Sequence, residues 1–301
     1  MQQKKSFELT KKRADNLFVF GMLLLPFINF IVFYLYVNFD SFLMAFQVPV
    51  GDDIKWGLEN FELMFKEFSF QGGVLSLALK NTFIYFFSGL LITLPLSFFL
   101  CYFLYKKVFG YKVFRVIFYL PSIISASVLV VLFKYFISVE GPLDSWMVEL
   151  GFGELPELIK NSDTSTTVIN FYSIFFGLGG NLVLFSGAMS NIDSSVTEAA
   201  KIDGAGMITE MFRIVVPLMW PTLSTVLIFQ FIGVFNASGP ILLFTTGQYE
   251  TTTISYWIYD KVKFGATLHY PSAVGLFFTF IGAPIALTMR WLLTKAFDYE
   301  S

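Results

Sequence analysis

Two carboxylates that could do acid–base chemistry lie in one stretch of the sequence, TEAAKIDGAGMITEMFRIVVPLMWP, residues 197–221. Glu198 and Asp203 are five residues apart there, and as a general acid and a general base they could make the chain an intramembrane enzyme. A loop that is open to water offers neither the burial nor the charged neighbours that tune a catalytic acid–base pair. The sequence therefore disfavours catalysis by this pair without excluding it.

Metal and disulfide chemistry have even fewer residues to use. The chain contains one cysteine, Cys101, and one histidine, His269, which excludes an internal disulfide and leaves no cysteine–histidine metal cluster. We predict that Cys101 packs within an apolar segment and that His269 is a solvated loop residue. No GxxxxGK[ST] sequence is present, so the chain is not expected to bind ATP through a phosphate-binding loop.

The composition predicts an all-α integral membrane protein. Hydrophobic residues make up 55% of the chain and charged residues only 14%, with a mean hydropathy of +0.67. A net charge of -2 without a block of basic residues argues against nucleic acid as a partner. A cleaved signal peptide is not expected, because the first apolar segment is long enough to span the bilayer.

Six windows without any charged residue predict six transmembrane helices. They cover residues 17–37, 82–105, 116–133, 168–190, 215–235 and 271–289. Basic residues flank the first window, separate the second from the third and follow the sixth, which places both termini in the cytoplasm. The absence of buried charge in these windows disfavours an ion-coupled carrier, and we expect Lys134, just past the third window, to point outward.

The predicted organisation follows from these windows and from one aromatic pattern. It comprises a cytoplasmic tail (1–16), the first transmembrane helix (17–37), an extracellular loop (38–79), a core of five transmembrane helices (80–293) and a cytoplasmic tail (294–301). In the extracellular loop Trp56, Phe61, Phe65 and Phe68 recur at helical spacing, which predicts an interfacial amphipathic helix.

The opening stretch itself predicts two short cytoplasmic helices that meet at a glycine. Ser195 and Glu198 fit a capping box that would start the first helix near Val196. Gly204 would end it in a left-handed conformation, and the second helix would run from residue 207 to about 215. Pro217 suits the first turn of the fifth span.

We call these two helices and the glycine between them the elbow. Small side chains and flexible methionines give it a surface without bulky groups. They are Ala199, Ala200, Gly204, Ala205, Met207 and Met211. Two readings remain open, namely a docking element for a cytoplasmic partner and a loop packed only against its own bundle.

Polar and aromatic residues inside or beside the spans are candidates for a substrate path. They are Asn236, Gln230, Asn181, Ser125, Phe235 and Tyr172. The alternative is structural, because serines often bond to their own helix and amides often bridge helices.

The stretch resembles the EAA loop of ABC importer permeases of the carbohydrate type, which includes the maltose and glycerol-phosphate systems. The residues that carry the resemblance are Glu198, Ala199, Ala200, Asp203, Gly204, Ala205, Phe212 and Pro217. Shorter segments agree in order, among them FRVIFYLPSIIS at residues 114–125 and FIGVFN at residues 231–236. The run TTGQYETTT at residues 245–253 departs from the family, whose members often have a glycine-rich segment there.

This resemblance implies the ABC type I importer permease fold in the bacterial plasma membrane. It implies a second permease subunit, a cytoplasmic ATPase dimer that binds ATP and magnesium, an extracellular solute-binding protein and a carbohydrate substrate. Residues 191–216 would couple to the ATPase, with Glu198 paired to a basic group and Glu210 adding to a locally acidic loop. The chain itself would hold no cofactor or metal, and glycerol phosphate is the alternative substrate.

Overall fold

The computed structural model describes residues 2–51, 53–70, 72–236 and 239–295, with side chains from residue 13 onward. In chain order the elements are α1 (Gln2–Asn29), a π-helical segment (Phe30–Tyr36), α2 (Val37–Ala45), β1 (Gln47–Val50), β2 (Asp53–Trp56), α3 (Glu59–Ser69), α4 (Val74–Ser88), a π-helical segment (Gly89–Thr93), α5 (Leu94–Tyr105), α6 (Tyr111–Ile123), α7 (Ala126–Phe136), α8 (Pro142–Glu149), α9 (Ser165–Ser190), α10 (Ser194–Ile202), α11 (Met207–Glu210), a π-helical segment (Met211–Val215), α12 (Val216–Leu218), α13 (Trp220–Ile232), α14 (Ile241–Phe244), α15 (Ile254–Phe264) and α16 (His269–Lys295). The predicted tail after residue 295 lies outside the described residues.

The helices confirm the predicted class of membrane protein. Four of them are long and apolar enough to cross a bilayer by themselves, namely Arg13–Ala45, Val74–Tyr105, Ser165–Ser190 and His269–Lys295. Two further pairs pass the same test only when two bent halves are joined, which gives up to six spans.

The third predicted span is not one straight helix. Its halves α6 and α7 meet at an angle of 112°, because Ile124 and Ser125 take extended ψ values of 143° and 134°. Pro121 lies inside α6 and is not the break. Hydropathy measures how apolar a segment is but not its direction, so the window could not predict this corner.

The fifth span is also bent, by 75° between Met207–Leu218 and Trp220–Ile232. Pro221 lies in the first turn of α13, whereas Pro217 belongs to the short α12 before the bend. Pro217 thus lies near the start of the predicted span, in the first turn of α12 and not of α13. The span also ends at Ile232, before the predicted boundary at residue 235.

The first helix stands apart from the bundle. Helical structure runs from the start of α1 to the end of α2, so the predicted N-terminal tail is part of this helix where it is described. None of the residues in its most apolar stretch is buried, and only α2 packs on the rest of the bundle, against α16.

The segment after the first helix begins with a β-hairpin, not with the predicted helix. β1 pairs antiparallel with β2 in the register Gln47↔Trp56, so Trp56 belongs to a strand. The amphipathic helix α3 does follow, and its rings Phe65 and Phe68 meet those of α16 edge-on at 5.4 and 6.1 Å. Asn60 fixes the hairpin to α3 by donating to the carbonyls of Ala45 and Gln47 at 3.1 and 2.9 Å.

Three side chains outside the proposed sites complete the comparison with the sequence. Cys101 is buried in the largest apolar cluster, as predicted. His269 begins α16 and its Nδ1 is buried, so it is not a solvated loop residue. Lys134 donates to the carbonyl of Phe244 at 3.0 Å, so the prediction that it points outward is wrong.

Candidate functional site

The first elbow helix, α10, starts differently from the predicted capping box. Asp193 is the N-cap, with extended backbone angles of -62° and 130°, and its carboxylate accepts a hydrogen bond from the Ser195 amide at 2.9 Å. Because these hydrogen bonds favour the ionised form, they lower the pKa of the Asp193 carboxyl group. Ser195 already lies inside the helix and cannot cap it.

The end of α10 confirms the predicted glycine turn. Gly204 has a φ of +77°, in the left-handed region, and a Cβ built on it would meet no atom of the chain within 4 Å. The amide of Ala205 donates to the carbonyl of Ala200 at 2.9 Å and that of Gly204 to Lys201 at 3.1 Å. These two bonds form a Schellman motif, which redirects the chain into the second elbow helix.

The second elbow helix, from Met207 to Val215, confirms the predicted range and turns π-helical at Met211. Met211 is buried in the main apolar cluster, whereas Met207 remains exposed. Phe212 is half exposed, with its ring 6.1 Å from that of Phe99. One face of this helix is thus part of the bundle core.

Two side chains from the end of α5 hold the second elbow helix. Lys106 Nζ lies 2.7 Å from both carboxylate oxygens of Glu210, and this carboxylate is only 2% exposed. The hydroxyl of Tyr102, one turn earlier, donates to the carbonyl of Met207 at 3.0 Å. Glu210 is therefore neutralised within the chain, and it does not contribute to an acidic surface as the sequence suggested.

The first elbow helix faces outward for most of its circumference. Glu198, Ala199 and Asp203 are exposed, and among the candidates on α10 only Ala200 is buried. Ile202 and Ile208 on either side of the glycine turn are 86% and 70% exposed. The elbow thus presents two carboxylates beside an uncovered apolar surface.

The substrate-path candidates do not form one group. Gln230 lies against the backbone of the second span: its Nε2 is 3.5 Å from the carbonyl of Phe86, and its amide packs on Gly89. Gly89 begins the π-helical segment midway along the second span, and because it has no side chain of its own the Gln230 amide occupies the space beside it.

The sequence analysis missed a second amide that reaches the same point. Asn170 of α9 donates to the hydroxyl of Ser88 at 2.7 Å, directly beside Gly89. We call Ser88, Asn170 and Gln230 the polar cluster. An amide within an apolar window was the signal available for Asn170, and it is the signal that drew attention to Asn181.

The other candidates lie elsewhere. Phe235 packs between the rings of Phe83 and Phe278, at centroid distances of 6.3 and 4.7 Å. Asn236 is exposed in the turn after α13, and Ser125 is exposed at the corner between α6 and α7.

Two candidates lie on α9. Asn181 is half-buried there. Tyr172 is buried, and its ring is 5.1, 4.4 and 5.0 Å from those of Phe133, Phe176 and Phe244. In this conformation the Tyr172 ring is covered by protein and cannot stack on a sugar.

Two pockets accompany these residues. One of about 410 Å³ opens between α3, the 245–253 loop and α15, and its lining includes Glu67, Asp260 and Lys261. The other, of about 570 Å³, lies between α7 and α9 and is lined only by apolar and aromatic side chains and Pro142. Neither contains a residue of the polar cluster.

Within the described residues no three histidine, cysteine or carboxylate side chains are grouped to hold a metal.

The fold and the elbow define a class, namely a helical membrane protein with an exposed elbow of two short helices between α9 and α13. The model of the family described as "Binding-protein-dependent transport system inner membrane component" matches residues 94–295, which hold α5 to α16. The chain belongs to this family. It is thus an ABC importer permease, a multi-pass protein of the bacterial plasma membrane and not itself an enzyme.

Individual relatives agree with the family. The chain is 28% identical over 304 residues to the probable ABC transporter permease protein YesP of Bacillus subtilis (strain 168), covering 96% of this chain and 94% of that protein. It is 26% identical over 275 residues to the arabinooligosaccharides transport system permease protein AraP of the same organism, covering 86% and 83%.

A solved structure shows the same fold. In the bacterial alginate ABC transporter in complex with alginate pentasaccharide-bound periplasmic protein, one chain matches with a TM-score of 0.80 and 23% identity. The match covers 95% of this chain and 98% of that one. The family and its relatives make this chain a permease of the sugar-importing type.

Proposed function

We propose that the chain is one of two permease subunits of an ATP-driven importer of an oligosaccharide, and that residues 191–216 couple it to a cytoplasmic ATPase dimer. The observation that carries the proposal is the elbow. It combines a rigid glycine turn with an apolar surface that its own bundle leaves uncovered. ATP and magnesium bind to the ATPase, and this chain supplies only the surface that the ATPase moves.

The chemistry of the elbow suits insertion into a cleft of a basic partner. Glu198 and Asp203 are exposed and form no ion pair within the described residues, so they are free to pair with arginine or lysine. Ile202 and Ile208 supply apolar area at the tip. A small residue at Gly204 lets another backbone approach the turn, because no atom of this chain lies within 4 Å of its Cβ position.

The first helix supports a second permease subunit. Leu17, Phe18 and Leu25 are 75%, 69% and 76% exposed, and the helix packs on the bundle only near its outer end. Lipid covers part of such a surface, and a second subunit covers the rest. We place both termini in the cytoplasm, the 38–79 segment outside and the core in residues 80–293, as the basic residues predict.

The polar cluster is the best-supported part of a substrate path. Asn170 donates to the hydroxyl of Ser88, and the Gln230 amide packs on the next residue, Gly89, so polar side chains from two different helices reach adjacent residues of the second span. Amides and hydroxyls both donate and accept, which suits sugar hydroxyl groups better than a fixed charge would. Asn236 and Phe235 follow on the same chain and extend the path outward.

The substrate class rests on the relatives. AraP is named for arabinooligosaccharides, and the matched alginate transporter carries a polysaccharide delivered by a periplasmic protein. We therefore propose an oligosaccharide delivered by an extracellular solute-binding protein, with glycerol phosphate as the alternative.

Reconstitution of the importer tests this proposal. The chain is co-expressed with a second permease, an ATPase and a binding protein, which we expect the neighbouring genes to encode, and ATP-dependent uptake into proteoliposomes is measured. We expect ATP-dependent uptake of a neutral oligosaccharide, and we expect that an excess of glycerol phosphate does not inhibit this uptake. Uptake of glycerol phosphate alone would support the alternative, and an assembled complex that transports neither would contradict the sugar assignment.

Single substitutions test the path. Gln230→Leu and Asn170→Leu remove hydrogen bonds of about 0.5–1.5 kcal/mol each, so uptake at limiting substrate should fall about two- to tenfold. Asn236→Leu should lower it as well. Asn38→Leu, the same change on the first helix, is the matched control and should leave uptake unchanged. Normal uptake by both Gln230→Leu and Asn170→Leu would remove the polar cluster from the path.

A further inference from the structure

The last turn of α5 carries both side chains that bond to the second elbow helix. Tyr102 and Lys106 are four residues apart, so they project from one face of α5. The first bonds to the main chain of Met207 and the second to the carboxylate of Glu210. Two attachments one turn apart fix both the position and the tilt of the elbow helix relative to α5.

The Lys106–Glu210 ion pair depends on the exact relative position of α5 and the second elbow helix, whereas the surrounding apolar contacts do not. Both carboxylate oxygens lie 2.7 Å from Lys106 Nζ, and the two side chains are 14% and 2% exposed. Buried ion pairs of this kind contribute little net stability compared with well-packed apolar residues. They do hold two elements in one register, because any sliding would separate charges in a medium of low dielectric constant.

The other end of α5 leads to the polar cluster. α5 is 12 residues long, which corresponds to about 18 Å of rigid helix. It continues into the π-helical segment whose first residue, Gly89, contacts the Gln230 amide. The methyl group of Thr93, the last residue of this segment, lies 3.6 Å from the Cβ position of Gly177 on α9.

We propose that Lys106 and Glu210 are positioning residues that form the joint between the elbow and α5. When the ATPase displaces the elbow, the ion pair transmits the displacement to α5, and α5 moves the backbone beside Gln230 and Asn170. The inference rests on the proposed function, since it needs an ATPase on the elbow. It assigns a role to α5 that the elbow surface alone does not imply.

The alternative is that the pair only stabilises the fold. A stabilising role and a transmitting role differ in one measurable quantity, which is the number of sugar molecules imported for each ATP hydrolysed. Loss of stability lowers the amount of complex and leaves this ratio unchanged. Loss of the joint lowers the ratio in complexes that are fully assembled.

The experiment uses the complete importer in proteoliposomes and four variants. Lys106→Met and Glu210→Gln each break the pair, the double variant Lys106→Met/Glu210→Met removes both charges, and the exchange Lys106→Glu/Glu210→Lys restores a pair. Lys112→Met, an exposed lysine on α6, is the control. Abundance, co-purified ATPase, ATP hydrolysis and sugar uptake are measured for each.

We expect the broken-pair variants to retain the ATPase and to import about fivefold less sugar per ATP, with recovery in the exchange variant. If a single variant fails to accumulate because it leaves a buried charge unpaired, the double neutral variant carries the test. A wild-type ratio in the double variant would overturn the proposal. If the wild-type chain itself fails to bind an ATPase, the proposed function fails first, and the two failures are distinguishable.

Discussion

Replacement of Gly204 by valine separates the two roles that the elbow requires of this residue. Its φ of +77° disfavours any residue with a Cβ, and a β-branched residue most of all. A Cβ at this position meets nothing within 4 Å in its own chain, so no internal clash adds to the backbone strain. Any larger effect must come from a partner that approaches the turn.

The magnitude of the first effect follows from the backbone alone. A left-handed conformation costs an L-residue about 1–2 kcal/mol, which shifts the local equilibrium away from the observed elbow by a factor of about 5 to 30. Asparagine tolerates this conformation, so Gly204→Asn adds bulk with little strain. Gly206 lies nearby with a φ of -70° and equally open space, so Gly206→Ala is a control that adds a Cβ without strain.

The assay measures two properties of each variant in the assembled importer, namely the amount of ATPase that co-purifies and the rate of sugar uptake. We expect normal membrane abundance for all three, loss of ATPase and uptake in Gly204→Val, and a partial loss in Gly204→Asn. Gly206→Ala should behave as the wild type. Full ATPase binding and transport by Gly204→Val would refute the reasoning. A defect in Gly204→Val without a defect in Gly204→Asn would assign the effect to backbone strain alone.

Three further substitutions have expected outcomes. Asp193→Ala removes the N-cap of α10 and should speed hydrogen exchange of the residue 194–202 amides, while Asp193→Asn, which can still cap, should not. Because the pKa of Asp193 is lowered, its contribution is present above about pH 3.9 and is lost as the pH falls through the lowered value. Protection of these amides in the wild type, relative to their intrinsic exchange rates, should therefore fall in acid, and protection that falls only at alkaline pH would contradict the assignment. Asn81→Leu removes hydrogen bonds of 2.7 and 2.9 Å to the carbonyls of Glu250 and Thr252. It should destabilise the 245–253 loop by about 1–3 kcal/mol, which would lower the melting temperature. An unchanged melting temperature would show that the loop does not depend on Asn81. Ser125→Ala should leave uptake unchanged, because Ser125 is exposed and makes no capping bond, and a strong loss would place it on the path.

The features that the sequence predicted correctly are local in the chain. An apolar window reports whether about 20 residues can cross a bilayer, and the spans were found in this way. The glycine turn at Gly204 was also predictable, since the conformation depends on the residue itself and its immediate neighbours. The hairpin at residues 47–56 had a local signal too, the sequence VPVGDDIKW with Gly51 at its centre, and Gly51 has a φ of +63°. The helical spacing of Trp56 with the phenylalanines that follow favoured a helix instead, so the hairpin was not predicted.

The features that were missed depend on tertiary contacts. Lys106 and Glu210 are separated by 104 positions, and neither has a neighbour in sequence that reveals the pair. Asn170 could not be assigned to the path from the sequence, because its contact with Ser88 exists only when α9 packs against α4. The burial of Tyr172 likewise depends on rings from α7 and α14 that no periodicity could place beside it.

Site-specific photo-cross-linking from the exposed face of α10 tests the central claim most directly. Cys101 is the only cysteine, so Cys101→Ser gives a background in which Ala199→Cys can carry a benzophenone group. The control attaches the same group at Phe152, which is 73% exposed in the segment between α8 and α9. With both termini in the cytoplasm, as we propose, this segment between the third and fourth spans lies outside. We predict that residue 199 cross-links to the ATPase in an ATP-sensitive manner and that residue 152 does not. Cross-links from residue 199 only to its own chain would contradict the account.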